Sequence, residues 1–426
     1  MLYQCVDEKV GIIKEVLEWL PEPDDPKIYV AGALSANTAL FNQKNGNSIF
    51  SSGAGFTRDQ AIFSAIGEGV ERYCGAIYDK SKLTFATYLE LERAGASVVH
   101  PEQFQLYHRE QYQNATFPFL PFTTERRLRW VEGVNWKSGQ SVYLPAQLVY
   151  LPYFEMDEDL VWFSISTGMS CAASFEEAVL KGIYEVIERD AFSIHWFNRL
   201  ERPVIDLSSH PRIAELYQTT FKIANLHYYL MDYTLDLPVH TVFGMLVDPR
   251  GGTLVAASAR TRYEDAVTKT LLELAQGRVS WKRDFVQGID RTFADDYSDF
   301  KDFQDHVEFY TKRERCELIQ FAYGCTDRVM IPHEEACSIK EDLTMVVQHL
   351  EARGYSLYVV DLTTPDIAEL GLHVVRVIIP GMTEITNDHC RPRAGSQRIY
   401  DLPVELGLRE QPITFATLNP VPHPFP

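Results

Sequence analysis

Two glutamates stand three residues apart in the stretch SAIGEGVERY, residues 64–73, and an arginine follows them directly. Residues at positions i and i+3 of a helix lie on the same face, so Glu68 and Glu71 would present two carboxylates side by side. The same spacing recurs twice further along the chain, at Glu185 and Glu188 and at Glu273 and Gln276. The sequence therefore offers three pairs of oxygen-bearing side chains.

Glutamates at this spacing usually lie on a solvent-exposed helix face. The first two pairs instead have apolar neighbours on most sides: Ile62, Ile66, Val70, Ile183, Val186 and Ile187. Such helices are largely buried, and adjacent buried carboxylates are costly unless a cation or a proton compensates them. Arg72 and Arg189 can each compensate one charge, which leaves both pairs negative. The surplus favours a bound cation, and ligands that are all oxygen favour Mg²⁺ over zinc or copper.

The segments around the three pairs are similar to one another, which predicts three equivalent helices. AIFSAIGEGVERYCGAIY from Ala61 aligns with AVLKGIYEVIERDAFSIH from Ala178, and AVTKTLLELAQGRVSW from Ala266 is a weaker copy. Each copy follows a helix-start pattern in which a hydroxyl and a Glu or Gln side chain bind free backbone N–H groups reciprocally. These predicted caps are Thr57 with Gln60, Ser174 with Glu177, and Thr261 with Glu264.

Segments of small residues precede the first two helices: SSGAGFT, residues 51–57, and STGMSCAAS, residues 166–174. We interpret both as loops that lead into helix N-termini, where free N–H groups and the helix dipole favour phosphate. Neither matches the P-loop pattern or the G-x-G-x-x-G pattern. Combined with Mg²⁺-binding carboxylates on the helices that follow, they predict a nucleoside triphosphate held by metal ions and backbone amides.

The composition is that of a folded chain of 426 residues, with 46% hydrophobic residues. We expect one large α+β domain, because no linker marks a boundary. The formal net charge of −19 argues against nucleic acid as a partner. Seven scattered cysteines without a C-x-x-C pair indicate a reduced, cytoplasmic protein. We find no signal-peptide pattern and no apolar run long enough to span a membrane.

Four stretches of the chain resemble the successive motifs of the YcaO family: SSGAGFTRDQAIFSAIGEGVERY, STGMSCAASFEEAVLKGIYEVIERDAF, LLELAQGR and YVVDLTTPDIAELGLHVVRVIIPGM. They occur in the family's order, from about Ser51 to the C-terminus. The resemblance implies a YcaO-type fold with mixed and antiparallel sheets and packed helices. It also implies an ATP- and Mg²⁺-dependent enzyme that activates a peptide amide.

The resemblance assigns the paired residues to metal and nucleotide binding. The implied Mg²⁺ ligands are Glu68, Glu71, Glu185, Glu188 and Gln276. The implied ATP contacts are Ser64, Glu68, Arg72, Glu185, Arg189, Glu273, Gln276 and Arg278. Many family members carry lysine in place of Ala54 and Gly-Asn in place of Ala172 and Ala173. The ATP contacts therefore differ there, and Ser170 and Ser174 are candidate replacements.

The chain ends in NPVPHPFP, with proline at alternate positions. Such spacing fixes an extended backbone with few N–H donors, and by composition alone it is typical of a disordered end or a partner-binding segment. The resemblance to azoline-forming cyclodehydratases instead implies that a tail comprising residues 410–426 reaches the active site. Pro422, Pro424 and Pro426 are the implied catalytic residues. We predict that deletion of residues 422–426 lowers turnover more than thermal stability.

The implied function is conversion of Cys, Ser or Thr residues in a ribosomal precursor peptide to thiazoline or oxazoline, in the biosynthesis of a modified-peptide natural product. Residues 1–50 are too few for a leader-binding module plus an adenylation-like domain, so we expect a separate E1-like partner protein that delivers the peptide to the catalytic domain, residues 51–409. Family resemblance also implies a homodimer.

Two alternatives remain open: ATP-dependent thioamidation, against which the proline tail argues, and a non-catalytic subunit that binds nucleotide or peptide.

Several segments have simpler interpretations. For residues 1–50 we predict an amphipathic helix, VGIIKEVLEWL at residues 10–20, and one strand, both part of the same domain. We also predict buried strands within residues 359–366 and 374–381. His195 is interpreted as a core or surface histidine in preference to a catalytic base. Three arginines in a polar segment are interpreted as solvated, with a role near phosphate as the alternative: Arg391, Arg393 and Arg398.

Overall fold

The computed structural model describes residues 2–40, 49–153, 155–223, 225–248, 252–286 and 291–426. The strands are β1 Ile13–Trp19, β2 Tyr29–Ser35, β3 Phe50–Gly55, β4 Thr84–Ala86, β5 Leu128–Asn135, β6 Gln140–Pro145, β7 Met169–Ala172, β8 Val204–Asp206, β9 His227–Asp232, β10 His240–Val247, β11 Thr253–Arg260, β12 Arg328–Met330, β13 Tyr358–Asp361 and β14 His373–Ile378. The helices are α1 Arg58–Ala76, α2 Tyr88–Arg93, α3 Phe175–Asn198, α4 Pro211–Leu216, α5 Tyr263–Val286, α6 Phe303–Phe309, α7 Ile339–Ala352, α8 Pro365–Glu369 and α9 Arg398–Glu405.

Within the described ranges, the strands form three sheets. The first is antiparallel with the order β1-β2-β3. The second has the order β11-β10-β9-β8-β12 and is antiparallel except for the parallel pair β8 and β12. The third has the antiparallel order β4-β5-β13-β14-β7, with β6 also paired to β5. The predicted α+β class with mixed and antiparallel sheets is confirmed, as are the two strands predicted within residues 359–366 and 374–381.

The sequence repeat corresponds to one structural unit used three times. In each copy a strand runs into a helix through two residues: β3 into α1 through residues 56–57, β7 into α3 through residues 173–174, and β11 into α5 through residues 261–262. The first segment predicted as a phosphate-binding loop is therefore largely strand, and the second contains the short strand β7, which corrects that prediction. Small residues suit these strands because they let the following helix pack closely.

The close packing of α1 on β3 shows this requirement directly. A Cβ atom added to Gly53 would lie 2.3 Å from the backbone nitrogen of Ala65, so only glycine fits. Beside it, the hydroxyl of Ser51 donates to the carbonyl of Ala65 at 2.8 Å. These contacts fix α1, and with it the first glutamate pair, against the sheet.

Of the three predicted reciprocal caps, the one at Thr57 is complete and the one at Ser174 is present in part. The Thr57 hydroxyl and the Gln60 side chain form the reciprocal cap of α1, and Ser174 accepts a hydrogen bond from the Glu177 backbone at the start of α3. The cap predicted at Thr261 is wrong, because α5 begins at Tyr263, one residue later than that cap requires. The backbone N–H of Tyr263 instead donates to Glu334 at 2.6 Å, a contact from a distant part of the chain.

Substitution of Thr57 by alanine removes the cap of α1 and is expected to lower the free energy of unfolding by about 1 kcal/mol. Chemical denaturation measures this change. Thr57→Ser keeps a hydroxyl at the same position and serves as the control. An equal loss in both variants would show that the hydroxyl does not stabilise the helix.

The helix predicted over residues 10–20 is wrong, because residues 13–19 form β1 and pair with β2. The apolar spacing in this segment fits a helix, but helix propensity is a weak preference that tertiary pairing overrides. In the strand, Ile13 is fully buried and the backbone pairs with β2 along one edge. In the described parts of the chain, no helix has the length and hydrophobicity needed to cross a bilayer.

Candidate active site

The three equivalent helices border one cavity with a volume of about 1060 Å³. Most of the predicted site residues line it: Ser64, Glu68, Glu71, Arg72, Glu185, Glu188, Arg189, Glu273, Gln276, Pro424 and Pro426. Residues separated by more than 200 positions in the sequence therefore face a common space. The roles assigned to them remain predictions, but their convergence is a feature of the fold.

On α1, Arg72 lies between both glutamates of the first pair. Its guanidinium is 2.7 Å from a carboxylate oxygen of Glu71 and 3.5 Å from one of Glu68. The second oxygen of Glu68 accepts the backbone N–H of Ser52 at 3.0 Å. Burial raises the pKa of Glu71 to about 8, and Glu185 and Glu68 add to the increase against the opposing charge of Arg72.

The second pair, on α3, has the same arrangement. Arg189 lies 3.4 Å from Glu188 and 3.8 Å from Glu185. Burial raises the pKa of Glu188 to about 8, and the neighbouring carboxylates of Glu273 and Glu185 add to the effect of burial, while Arg189 opposes it. Burial also raises the pKa of Glu185. Carboxylates from separate helices thus destabilise one another's charged forms.

The third pair, on α5, is joined to the first through Ser52. The side-chain amide of Gln276 donates to the Ser52 hydroxyl at 2.7 Å, while the Ser52 backbone N–H binds Glu68. Glu273 forms an ion pair with Lys269 at 3.1 Å. One serine of β3 therefore sets the relative positions of α1 and α5.

The donor set fits Mg²⁺ and a phosphate group. Its atoms are carboxylate and amide oxygens, which Mg²⁺ prefers, and burial raises the pKa values of Glu71 and Glu188 despite the nearby arginines, so a bound cation would favour their charged forms. The described residues also contain a compact acidic cluster outside the cavity lining. In it, carboxylate oxygens of Glu22, Asp24 and Asp25 lie within 4.8 Å of one another. Lys282 forms ion pairs with all three of those residues, so their charge is partly compensated.

Arg278, which was predicted as an ATP contact, does not line the cavity with the other predicted residues. It is fully buried on the side of α5 away from the cavity and lies 3.2 Å from Asp248. Two residues along a helix correspond to a rotation of about 200°, so Arg278 cannot share the face of Gln276.

Arg376 on β14 is a charged neighbour of the site that the sequence analysis missed. It is 1% exposed, donates to the carbonyl of Ile165 at 2.6 Å, and its positive charge opposes the raised pKa values of Glu71 and Glu185. The signal was an arginine inside the apolar run VVRVIIPG, which was assigned only as a strand. A buried charge in such a run needs partners from elsewhere in the fold.

The residues that depart from the family pattern fall in two environments. Ala54 is buried in the core beneath α5 and does not line the cavity, whereas Ala172 and Ala173 do. The Ser170 hydroxyl donates to the Ala178 carbonyl, and the Ser174 hydroxyl caps α3. Both candidate replacement hydroxyls therefore hold α3 in place.

His195 is a core residue, as interpreted from the sequence. It is fully buried and stacks on Tyr233, with ring centroids 4.1 Å apart. The interpretation of the arginines is wrong for two of the three. Arg393 lies over the Trp162 ring at 4.0 Å, and Arg398 pairs with Asp190 at 2.8 Å, so both are buried by specific partners.

The proline tail is packed into the protein. Pro424, Phe425 and Pro426 line the cavity, whereas Pro422 lies outside the lining and its carbonyl accepts the Tyr310 hydroxyl at 2.6 Å. The Phe425 ring lies under the guanidinium of Arg189, 4.2 Å away. The tail therefore contacts the second glutamate pair through Arg189.

Deletion of residues 422–426 is expected to lower turnover at least about 100-fold, because it removes one wall of the cavity. The burial of Phe425, which is 3% exposed, adds a loss of stability that the sequence did not predict. Turnover should therefore be measured well below the unfolding temperature of each variant. Deletion of the exposed Pro426 alone is the control for stability. Full turnover in the longer deletion would contradict a role for the tail.

Comparison with known proteins gives one family. Residues 52–383 match the model of the YcaO cyclodehydratase family, described as ATP- and Mg²⁺-binding. An uncharacterised protein from Methanothermobacter thermautotrophicus is 28% identical over 350 residues, which is 79% of this chain and 82% of the relative.

Two solved structures have the same fold. A heterocyclase in complex with substrate and cofactor matches with a TM-score of 0.80 and 25% identity, covering 100% of this chain and 57% of the heterocyclase. The heterocyclase TruD matches with a TM-score of 0.67 and 27% identity, covering 87% of this chain and 51% of TruD. The chain thus spans about half the length of these heterocyclases. With most of its length matched and its carboxylates gathered in one cavity, the chain belongs to the YcaO cyclodehydratase family, whose cofactors are ATP and Mg²⁺.

Proposed function

We propose that this protein converts Cys, Ser or Thr residues of a ribosomal precursor peptide to thiazoline or oxazoline, with conversion of ATP to ADP and phosphate. The observation that supports this most strongly is the meeting of Glu68, Glu71, Glu185 and Glu188 in one cavity that the tail also lines. Seven glutamates line this space, including Glu177, Glu273 and Glu308, against five arginines and lysines. Such a surplus suits a reaction that consists mainly of placing phosphate groups and neutralising their charge.

In the proposed reaction, the side chain of the peptide residue supplies the nucleophile, so no Ser-His or Cys-His pair of the protein is needed. Its sulfur or oxygen bonds to the preceding carbonyl carbon, and the carbonyl oxygen later leaves with a phosphoryl group while a C=N bond forms. The thiol or hydroxyl proton and the amide proton are lost. When bound, ATP supplies the phosphoryl group that makes the amide oxygen a leaving group, ending as ADP and phosphate.

The residues of the chain bind and orient in this scheme. The glutamate pairs of α1 and α3 would hold Mg²⁺, and Gln276 would add a neutral oxygen. Arg72 and Arg189 fix the carboxylates and can donate to phosphate oxygens. The tail closes one side of the cavity and would limit the access of water.

A separate protein that delivers the precursor peptide is part of the proposal, and a homodimer and a cytoplasmic location remain predictions. A peptide-delivering component is consistent with the similar heterocyclases, which extend beyond the region that this chain matches.

The test combines purified protein, Mg²⁺, ATP and a Cys- and Ser-containing peptide, with and without a candidate partner. The proposal predicts phosphate release together with the loss of one water from the peptide mass for each ring. ATP binding without loss of water from any peptide would contradict it and favour a non-catalytic subunit. A sulfur-for-oxygen exchange that requires sulfide would identify thioamidation instead.

A further inference from the structure

The end of the tail is held through its backbone by side chains from other parts of the fold. Four consecutive carbonyls each accept one side-chain hydrogen bond: Pro420 from His389 at 3.0 Å, Val421 from Trp196 at 3.1 Å, Pro422 from Tyr310 at 2.6 Å and His423 from His306 at 2.8 Å. We call His389, Trp196, Tyr310 and His306 the tail clamp. Three of its members lie outside the helices that carry the glutamates, and the fourth, Trp196, lies on α3 beyond the second glutamate pair.

This mode of binding explains how a proline-rich segment can be buried. Proline has no N–H, so the tail cannot join a sheet as an ordinary strand. Its carbonyls still need partners once they are buried, and the clamp supplies them. His423 is also fixed, since one ring nitrogen binds the Thr386 carbonyl and the other accepts the Phe425 N–H at 3.2 Å.

The tail segment held by the clamp leads directly to Phe425, the tail residue that contacts the site. Phe425 is 3% exposed, packs against Phe192 with centroids 4.8 Å apart, and carries the Arg189 guanidinium on its face at 4.2 Å. Arg189 in turn lies 3.4 Å from Glu188 and 3.8 Å from Glu185. A cation over an aromatic ring is attracted to that ring, and the planar guanidinium is also oriented by it.

We infer that Phe425 is a positioning residue for Arg189, and that the tail clamp holds the ring where it fixes this arginine beside the second glutamate pair. The inference deepens the proposed function and rests on it, because Arg189 must act on bound nucleotide or metal. It identifies a route by which the tail affects the site without a proline contacting the substrate.

A double-mutant cycle with Phe425→Leu and Arg189→Gln in the full-length protein tests this coupling, with the dissociation constant of Mg²⁺·ATP as the readout. Phe425→Leu keeps an apolar side chain but removes the ring, and it should weaken nucleotide binding roughly 2-fold to 30-fold. In the Arg189→Gln background it should cause no further change. Tyr310→Phe, which removes one clamp hydrogen bond, should show the same dependence on Arg189.

Phe85→Leu is the matched control, because Phe85 also carries a guanidinium, that of Arg129 at 4.6 Å, outside the cavity lining. It should leave the affinity for Mg²⁺·ATP unchanged. Effects of Phe425→Leu that are equal in both backgrounds would overturn the inference and leave the proposed function standing. An unsubstituted protein that binds no Mg²⁺·ATP would overturn both. Unfolding temperatures of all variants separate a loss of affinity from a loss of folded protein.

Discussion

Glu188→Gln is expected to lower Mg²⁺-dependent ATP turnover at least about 100-fold while leaving the protein folded. Glu188 is 8% exposed and lies on the cavity-facing side of α3. The amide has nearly the same shape but no charge, so it cannot neutralise a bound divalent ion. Because burial disfavours the charged carboxylate, the same substitution should not lower the unfolding temperature of the protein without nucleotide.

Glu176→Gln is the matched control for this result. Glu176 lies on the same helix but is exposed and outside the cavity lining, so its substitution should leave turnover unchanged. Equal turnover in the Glu188→Gln and Glu176→Gln proteins would show that the second pair does not bind the metal ion. A large drop in unfolding temperature for Glu188→Gln would instead assign Glu188 a structural role.

The affinity for Mg²⁺ in the presence of ATP is expected to rise steeply with pH up to about 8. Burial raises the pKa of both Glu71 and Glu188 from 4.5 to about 8. Below this pH the two carboxyl groups carry protons that the metal ion must displace, so metal binding weakens as the pH falls. In the same pH range, metal binding releases protons from these groups. Below pH 8, the affinity should fall by up to about 10-fold per pH unit for each carboxyl group that must lose its proton.

The stability of the protein without ligands should change in the opposite direction. A carboxyl group whose folded pKa is raised is destabilising only when it is charged, so stability falls as the pH rises from about 4.5 to about 8 and then levels off with respect to these two groups. Calorimetry in buffers of different ionisation enthalpy measures the protons released. Metal affinity that stays constant across this window, without proton release, would contradict the account.

The parts of the site that could be predicted from sequence depend on short-range geometry. The spacing of Glu68 and Glu71 fixes a common face once the segment is helical, and the apolar residues around them indicate burial. Comparison of the three repeats then indicates that the equivalent faces of the three helices contribute to the same site. These arguments need no knowledge of which segments meet, and the convergence in one cavity agrees with them.

The parts that could not be predicted depend on distant contacts. The segment around Ile13 has a helical spacing of apolar residues but becomes β1 because β2 is available to pair with it. The N-terminus of α5 is bound by Glu334, about 70 residues further along the chain, and not by the local Thr261. Arg376 and the tail clamp likewise act across the fold. Buried charges and proline carbonyls signal that partners exist, but local sequence does not identify them.

The most direct test of the central claim is a crystal structure with Mn²⁺ in place of Mg²⁺ and a non-hydrolysable ATP analogue, with the metal located by its anomalous scattering. The account predicts metal ions in the cavity within about 2.5 Å of carboxylate oxygens from both α1 and α3, including Glu71 or Glu188. Metal found only at Glu22, Asp24 and Asp25, with the cavity glutamates still bound by Arg72 and Arg189, would contradict it.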